Sequence, residues 1–428
     1  MGSFEITKIK AREILDSQGR PMVEVDVVTK EGILARAGAP CGISVGKYEA
    51  SVLRDNDERY NGLGVTRAVR NINEIVASTL IGKDVTAQRE IDELLINLDG
   101  TENKSKLGVN AILSLSFAVA EAAAAALHLP VYRYIGGTNS HTLPVPMFNV
   151  VNGGPYSASD LDFQEHMIMP LKAASFSEAL RMSVEVYYEL GTILRKKYGK
   201  KGIVRGHAAG YAPPIANSTE VFDRILDSVD EAGYAGKFVL CLDSAASHIY
   251  NAQKKKFTFS GREVTRDDLF DFYSDLKSAY PIFSIEDPLD QDDFEGHAEL
   301  TMKLGIQIVG DDLFATNIQR LKKGVSIHAG NALILKPNQI GTLTETFDVA
   351  RLAVANSYEV IPSMRAGKPE DPIADIAVAL NCSQVKFGAP TTAERTWKYN
   401  QLLRIEEELG SSAEYAGKAL FAKYQTHG

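Results

Sequence analysis

From residue 145 onward, short apolar runs alternate with longer amphipathic stretches, and this alternation limits the possible folds more than any other feature. The apolar runs have the length of buried strands, and helical periodicity follows near residues 177–198, 294–304 and 343–356. Alternating strands and helices are typical of α/β sheets and barrels. The runs are VPMFNVVNGG, FVLCLD, IFSIED, IQIVGDD, ALILK, EVIPSMR and QVKFG.

Charged side chains end most of these runs. In a (β/α)8 barrel the carboxyl ends of the strands converge on one mouth, and catalytic groups come from several strands there. An open doubly wound sheet would spread the same groups along an edge, and the chain has no GxGxxG or Walker loop to support a nucleotide fold. We therefore predict an α/β barrel. Its mouth would gather Asp243, Glu286, Asp311, Lys336, Arg365 and Lys386.

The chain before this region has a different pattern. Its beginning alternates in the manner of strands, in VEVDVVT and GILARAGAP, and helical spacing follows at 68–81 and 107–130. Strands followed by helices, without a repeated unit, predict a small α+β domain. The segment GGTNSHTLP has the composition of a linker. We predict an N-terminal domain over 1–135 and a barrel domain over 140–428.

Composition and charge argue against several classes of partner. The net charge of −9 disfavours broad nucleic-acid binding. The three cysteines form no CxxC pair, which fits a reducing compartment and disfavours disulfides or a zinc site. The start MGSFEITKIK lacks the apolar core of a signal peptide, and the Ala-rich stretch 114–129 is interrupted by Glu121 and His128. We therefore predict a soluble, cytoplasmic protein with no membrane span.

Three of the strand-end residues are carboxylates: Asp243, Glu286 and Asp311. Carboxylates gathered in a dry site cannot all ionise without a cation, and a set of oxygen ligands suits Mg²⁺. The alternative is that each acid caps the helix that follows it, which is a common role of aspartate. Acids at three successive strand ends favour the metal site.

Two lysines and an arginine end the remaining strands. Nearby positive charge can make Lys336 or Lys386 a usable base, although either could instead pair with an acid or lie on the surface. Arg365 can bind a phosphate or carboxylate in a bidentate manner. Mg²⁺, a lysine base and an anion clamp together suit removal of a proton α to a carboxylate, in a small substrate with several negative charges.

Five motifs together resemble the enolase (phosphopyruvate hydratase) family. They occur in family order nearly from end to end: AREILDSQGRPMVEVDV, SIEDPLDQDDF, IVGDDLFATN, ALILKPNQIG and NQLLRIEEELG. The resemblance implies an N-terminal α+β lid domain, an enolase-type (β/α)8 barrel, and a homodimer or a larger oligomer built from dimers.

The resemblance also implies roles for single residues. Lys336 would take the C2 proton, Lys386 would help to neutralise the substrate carboxylate, and Arg365 would bind the phosphate. The Gln164–Glu165 pair of FQEHM would line the site. The implied metal ligands are the three strand-end carboxylates and, for a second Mg²⁺ in the closed site, a serine of the lid loop CGISVG: Asp243, Glu286, Asp311 and Ser44.

Four loops depart from the family pattern. Enolases have DEGGFAP where this chain has GHAAGYAP, so Ala208 replaces the glutamate that helps to expel the C3 hydroxyl, and His207 replaces the aspartate. NGGPYSAS places Tyr156 where a substrate-binding histidine belongs. SMRAG places Met364 and Ala366 where a histidine and a phosphate-binding serine belong. The lid loop, SGASTG in the family, differs at Cys41, Ile43 and Val45.

The departures fall on the half of the site that expels hydroxide, whereas the half that makes the enolate is intact. Loss of general-acid assistance costs about 10²- to 10⁴-fold in rate. The sequence therefore favours a diverged enzyme that acts through an enolate on 2-phosphoglycerate- or phosphoenolpyruvate-like substrates. Its best named candidate is carboxyphosphonoenolpyruvate synthase of phosphonate and phosphinate biosynthesis. The alternatives are phosphopyruvate hydratase and a non-catalytic enolase-like protein.

The substituted residues would reshape the substrate pocket. Met364, Ala208 and Ala366 would free space or remove charge near C3 and the phosphoryl group of the substrate, so that a larger anion could fit. His207 and Tyr156 would either replace the lost proton donor or only fill space. Cys41 is interpreted as incidental.

Overall fold

A three-stranded antiparallel sheet with helices packed on it forms the first part of the chain. The computed structural model describes residues 4–42, 45–155, 157–365, 367 and 370–427, without the side chains of 424–427. Val23, Val25 and Val27 alternate with polar residues along the central strand and enter the core, as period-two alternation requires. The elements are β1 (Ile6–Leu15), β2 (Pro21–Thr29), β3 (Leu34–Gly38), α1 (Thr66–Arg70), α2 (Ala77–Leu80), α3 (Gln88–Asp99), α4 (Val109–Ala126) and α5 (Val131–Gly136).

Helix α4 is the apolar centre of this part. By length and composition alone it could cross a membrane, but 89% of it is buried inside the molecule. Ser114 fixes it to the sheet, because its hydroxyl accepts from the amide of Ala39 and contacts the carbonyl of Val23. A helix that is apolar on every side and enclosed by its own protein is a core helix.

The rest of the chain alternates strands and helices around a second core. The predicted helices near 177–198, 294–304 and 343–356 are present. The elements are β4 (Thr142–Leu143), β5 (Val145–Pro146), β6 (Phe148–Asn152), β7 (Glu165–Met169), α6 (Phe176–Tyr198), α7 (Ser218–Glu231), β8 (Val239–Asp243), β9 (Tyr250–Asn251), β10 (Lys256–Phe259), β11 (Arg262–Val264), α8 (Arg266–Ala279), β12 (Ile282–Glu286), α9 (Phe294–Leu304), β13 (Gln307–Gly310), α10 (Ile318–Ile327), β14 (Ala332–Leu335), α11 (Pro337–Ile340), α12 (Leu343–Ala355), β15 (Glu359–Pro362), α13 (Ile373–Ala379), β16 (Gln384–Val385), α14 (Ala393–Leu409), β17 (Glu414–Tyr415) and α15 (Gly417–His427).

Seven strands form one sheet in the order β15-β14-β13-β12-β8-β7-β6, and β16 closes it into a barrel. Strand β16 pairs with β5, and Lys386 just after it bridges to Ser363 just after β15. The strands from β8 to β15 are parallel, but β7 runs antiparallel to both of its neighbours. The barrel prediction is confirmed, with this one reversed strand that the sequence pattern did not indicate.

The reversed strand changes which of its ends faces the mouth. Because β7 is antiparallel to β8, its first residue, Glu165, lies opposite Asp243, the last residue of β8. Asp243 is in turn the register partner of Glu286, the last residue of β12. Three acids from three adjacent strands therefore meet at one edge of the barrel.

Candidate active site

Lys386 is the centre of the acidic cluster at the mouth. Its ammonium donates to Asp243 Oδ2 and to Glu286 Oε2, both at 2.7 Å, and lies 3.3 Å from Glu165 Oε2. Burial opposes the charged form, but Asp243, Glu286 and Glu165 outweigh it and raise the pKa of Lys386 well above its usual value. Lys386 is therefore a fixed positive charge at this mouth and not a neutral base.

The cluster still has more acid than base. Burial, together with the neighbouring Asp243, raises the pKa of Glu286 well above its usual value, and burial also raises the pKa of Glu165. Glu286 Oε1 is buried without a hydrogen-bond partner among the described residues, whereas Glu165 Oε2 faces Lys386 Nζ at 3.3 Å. A buried oxygen without a partner and an excess of acid fit a bound cation. The carboxylates of this cluster thus have the donor chemistry that Mg²⁺ requires.

Lys336 lies on the other side of the mouth, just after β14. Its ammonium donates a hydrogen bond to Asp311 Oδ2. Burial raises the pKa of Asp311, but Lys336 and Arg365 outweigh burial and hold it at about 2, so this carboxylate is ionised. Gln339 fixes the other oxygen of Asp311 at 2.9 Å, and Thr316 donates to Gln339. The predicted base is therefore held in place by a network of buried side chains.

A second acidic group, Asp287, Asp311 and Asp312, shares Asp311 with this network. One oxygen of each lies within 4.8 Å of the others, so this group could hold a metal ion. The Asp287 carboxylate, however, accepts hydrogen bonds from the backbone amides of Asp311 and Asp312, at 3.0 and 2.7 Å. We infer that Asp287 shapes the loop after β13, and Asp311 is already bound by Lys336 and Gln339.

Arg365 is already bound to a carboxylate of the N-terminal region. Its Nη1 and Nη2 donate to Glu49 Oε2 and Oε1 at 2.8 and 2.5 Å, and both side chains are buried. This is the bidentate geometry in which arginine also binds phosphate. If Arg365 binds a phosphate, as the sequence predicts, that phosphate has to displace Glu49.

This contact predicts opposite effects of Glu49→Gln on binding and on stability. The variant should lower the KM for a phosphorylated substrate about 3- to 10-fold, because the phosphate no longer competes with a carboxylate. It should lower the free energy of unfolding by about 3–5 kcal/mol, because it leaves a buried arginine without its ion pair. Substrate titration measures the KM, and urea denaturation measures the free energy of unfolding. Glu58→Gln, at an exposed site, is the control, and a higher KM for Glu49→Gln would contradict competition.

The mouth encloses a small cavity of about 90 Å³. Three of the substituted residues, His207, Ala208 and Met364, line it, as predicted for the hydroxide-expelling side. The lining also contains predicted residues of the enolate-forming side: Gln164, Glu165, Asp311, Lys336, Arg365 and Lys386. Gln164 is oriented by Asp243, to which its Nε2 donates at 3.2 Å. The structure thus brings the two sides together around one space.

His207 is a weak candidate for the replacement acid. Burial, together with Arg395 and Arg20, lowers its pKa to about 4, so the imidazole is neutral at pH 7. Because the folded-state pKa lies below the usual 6.5, the ring gains its proton only as pH falls towards 4. We predict that His207→Asn leaves the pH profile of substrate proton exchange unchanged between pH 6 and 8. Loss of an inflection in that window would instead identify His207 as the acid.

Several predicted positions lie outside the described residues, namely Ile43, Ser44, Tyr156 and Ala366. Cys41 can be described: it is buried, and burial raises the pKa of its thiol, which opposes thiolate reactivity. This agrees with an incidental role.

Four residues of the mouth did not emerge from the sequence: Glu49, Asp312, Gln339 and Arg395. Gln339 and Asp312 stand inside motifs that were recognised, PNQIG and GDD, so a search for polar neighbours of Lys336 and Asp311 could have found them. Glu49 lies far from the strand-end residues in sequence, and Arg395 follows Lys386 by nine positions, after the start of α14. No spacing rule connects either residue to the barrel mouth.

Comparison with protein families agrees with this architecture. The family model described as "Enolase, N-terminal domain" matches residues 6–135, and the one described as "Enolase, C-terminal TIM barrel domain" matches residues 140–424.

Relatives that resemble the chain over nearly its whole length are called enolase. The protein of Methanopyrus kandleri is 54% identical over 415 residues, which cover 96% of this chain and 97% of the relative. That of Methanocaldococcus jannaschii is 52% identical over 416 residues, 97% of this chain and 98% of the relative. That of Pyrococcus furiosus is 53% identical over 420 residues, 97% of each.

Proposed function

Because this chain belongs to the enolase family, we propose that it interconverts 2-phosphoglycerate and phosphoenolpyruvate through an enolate. It is an enolase-superfamily enzyme of the carbon–oxygen lyase type. The names of its relatives support phosphopyruvate hydratase better than the carboxyphosphonoenolpyruvate synthase that the substituted loops favoured. The same family membership disfavours a non-catalytic role.

One observation carries the proposal: a lysine for the base, a second lysine held as a cation, and an arginine for the phosphate line the same cavity. Lys336 Nζ would take the proton from the carbon next to the substrate carboxylate. Lys386, held charged by Asp243 and Glu286, would lie beside the developing negative charge on that carboxylate. Arg365 would bind the phosphate once Glu49 has moved.

We propose Mg²⁺ as the cofactor, with Asp243, Glu286 and Asp311 as its ligands. The buried oxygen of Glu286 without a partner supports this assignment. When bound, the metal would supply positive charge beside the enolate oxygens. Ser44 stays a predicted ligand of the closed site. By family resemblance we further propose a cytoplasmic homodimer, or an oligomer built from dimers.

The cavity lining favours a second candidate. Ala208 and Met364 carry no acidic proton, and His207 is neutral at pH 7, so none of these three residues supplies a strong acid where the C3 hydroxyl would leave. An enzyme that forms the enolate but couples it to a different second step would have this composition. Carboxyphosphonoenolpyruvate synthase is one reaction of that class.

Turnover of 2-phosphoglycerate separates these functions. With Mg²⁺ present, we expect phosphoenolpyruvate to form at a rate limited by loss of hydroxide, because general-acid assistance is worth about 10²- to 10⁴-fold. Chelation of the metal should abolish the product and serves as the control. Exchange of the C2 proton without any phosphoenolpyruvate would favour the second candidate. Absence of both activities would contradict an enolate enzyme.

A further inference from the structure

Arg395, on the first turn of α14, is a buried guanidinium at the mouth that the proposed chemistry leaves unused. Only 5% of the residue is exposed. Its Nη2 donates to the carbonyl of His207 at 3.0 Å, and its Nη1 contacts the sulfur of Met364 at 3.1 Å and the carbonyl of Phe387 at 3.5 Å. These partners are a thioether and two neutral carbonyls. None of them carries a negative charge.

The other three cations of the cavity differ from Arg395 in this respect. Lys336, Lys386 and Arg365 each donate directly to a carboxylate. In the described part of the chain, the one carboxylate oxygen within 4 Å of Arg395 is Glu394 Oε1, which is 3.7 Å from Nε and too distant for a hydrogen bond. The Nε hydrogen of Arg395 has no partner among the described residues.

A buried arginine without a close carboxylate is costly to keep. Burial lowers the pKa of Arg395, as expected when desolvation of the charge is not offset. Fully buried charges are normally paired closely. An arginine whose nearest carboxylate lies beyond hydrogen-bond distance, here Glu394 at 3.7 Å, is a ready site for an oxyanion.

The fold makes room for this side chain at the cavity wall. Gly388 has a φ of +82°, and a Cβ at that position would lie 2.3 Å from Arg395 Nη1, so any larger residue would displace the guanidinium. Arg395 lines the cavity together with Ala208 and Met364, two of the residues that depart from the family pattern. A glutamate at 208 or a histidine at 364 would change the polarity around the guanidinium.

We propose that Arg395 binds a small oxyanion, a phosphoryl or carboxylate group, on the side of the cavity lined by Ala208 and Met364. Arg365 is bound by Glu49 in the absence of substrate, so Arg395 is the guanidinium open to an anion in that state. The oxyanion has two possible sources. It is either a group of the 2-phosphoglycerate-like substrate or a free second anion, and the first of these sources rests on the proposed function.

Titration of the full chain with inorganic phosphate, in the presence of chelator, tests the site without any turnover. Arg395→Gln should weaken phosphate binding about tenfold or more, since hydrogen bonds to a charged group are lost. Arg404→Gln, an exposed arginine on the same helix, is the matched control and should bind as the unsubstituted protein does. Arg395→Lys keeps the charge and should retain more affinity than Arg395→Gln.

A second pair of variants leaves the arginine in place. Met364→Glu puts a carboxylate at the atom that Arg395 now contacts, and it should abolish phosphate binding by neutralising the guanidinium. Met364→Gln introduces a side chain of the same shape as glutamate but without the charge, and this variant should still bind phosphate. These variants keep the test decisive if Arg395→Gln does not fold, because a purely structural role for Arg395 predicts no difference between glutamate and glutamine at 364.

Substrate kinetics then distinguish the two sources. If the substrate supplies the oxyanion, Arg395→Gln should raise the KM for 2-phosphoglycerate in C2 proton exchange about tenfold, and phosphate should compete with the substrate. If a free anion is bound, the KM stays within twofold and phosphate binds to the substrate-loaded enzyme. Equal phosphate affinity in Met364→Glu and Met364→Gln, or in folded Arg395→Gln and the unsubstituted protein, would overturn the proposal. Because phosphate binding needs no catalysis, its loss or retention is separate from failure of the proposed function.

Discussion

Lys336→Gln should reduce exchange of the C2 proton of 2-phosphoglycerate by about 10²- to 10⁴-fold, the usual worth of a positioned general base. Lys386 is the less suitable base, because Asp243 and Glu286 hold it in the charged form. Lys336 has a single carboxylate partner, Asp311, and lines the cavity beside Arg365. Glutamine can still donate to Asp311, so the variant removes the base while it keeps that hydrogen bond.

The exchange is measured by NMR in D₂O with Mg²⁺. Lys322→Gln, on the exposed face of α10, controls for loss of a lysine, and urea denaturation checks that Lys336→Gln remains folded. Exchange at the unsubstituted rate in folded Lys336→Gln would show that another group takes the proton, and the assignment of the base would be wrong.

Ala208→Glu combined with Met364→His should raise the rate of phosphoenolpyruvate formation about 10²-fold, because it returns an acid and an imidazole to the side where hydroxide leaves. Both positions line the cavity, so the new groups would face the substrate and not the solvent. The effect should be on product formation. Exchange of the C2 proton precedes loss of hydroxide and should change little.

Ala208→Gln combined with Met364→His is the matched control, since it adds the same bulk without an acidic proton. We expect a gain only with glutamate. A similar gain with glutamine would point to polarity or packing in place of proton donation. No gain in either double variant would show that the site differs from the family at more than these two positions.

The parts of the site that follow strand ends could be predicted from the sequence. Asp243, Glu286 and Asp311 stand where apolar runs stop, and a barrel brings such positions to one mouth whatever the details of packing. The same local pattern predicted Lys336 and Lys386. Helix α9 was also predicted within its observed bounds, because its periodicity and its cap at Asp293 are local signals.

The remaining parts depend on contacts that no local pattern encodes. The direction of β7 follows from sheet pairing, so the position of Glu165 opposite Asp243 could not be derived from alternation. Glu49 and Arg365 are 316 positions apart, and only packing of the N-terminal region against the barrel brings them together. The role of Asp287 depends on the loop that its carboxylate holds, which the motif IEDP does not reveal.

Met364 illustrates both what could be predicted from the sequence and what could not. Its place in SMRAG identified it as a substitution, and the structure places it on the cavity wall as expected. Its contact with Arg395, 31 positions away, was not predictable. That contact connects the substituted loops to a cation whose nearest carboxylate, Glu394, lies beyond hydrogen-bond distance.

The central claim is that the enolate-forming half of this site works independently of its altered hydroxide-expelling half. The most direct measurement follows 2-phosphoglycerate in D₂O with Mg²⁺ and records C2 proton exchange and phosphoenolpyruvate formation in the same sample. We predict exchange that is faster than product formation by about 10²-fold or more, because only the second step lacks its acid. Equal rates of exchange and product formation, or no exchange at all, would contradict the account.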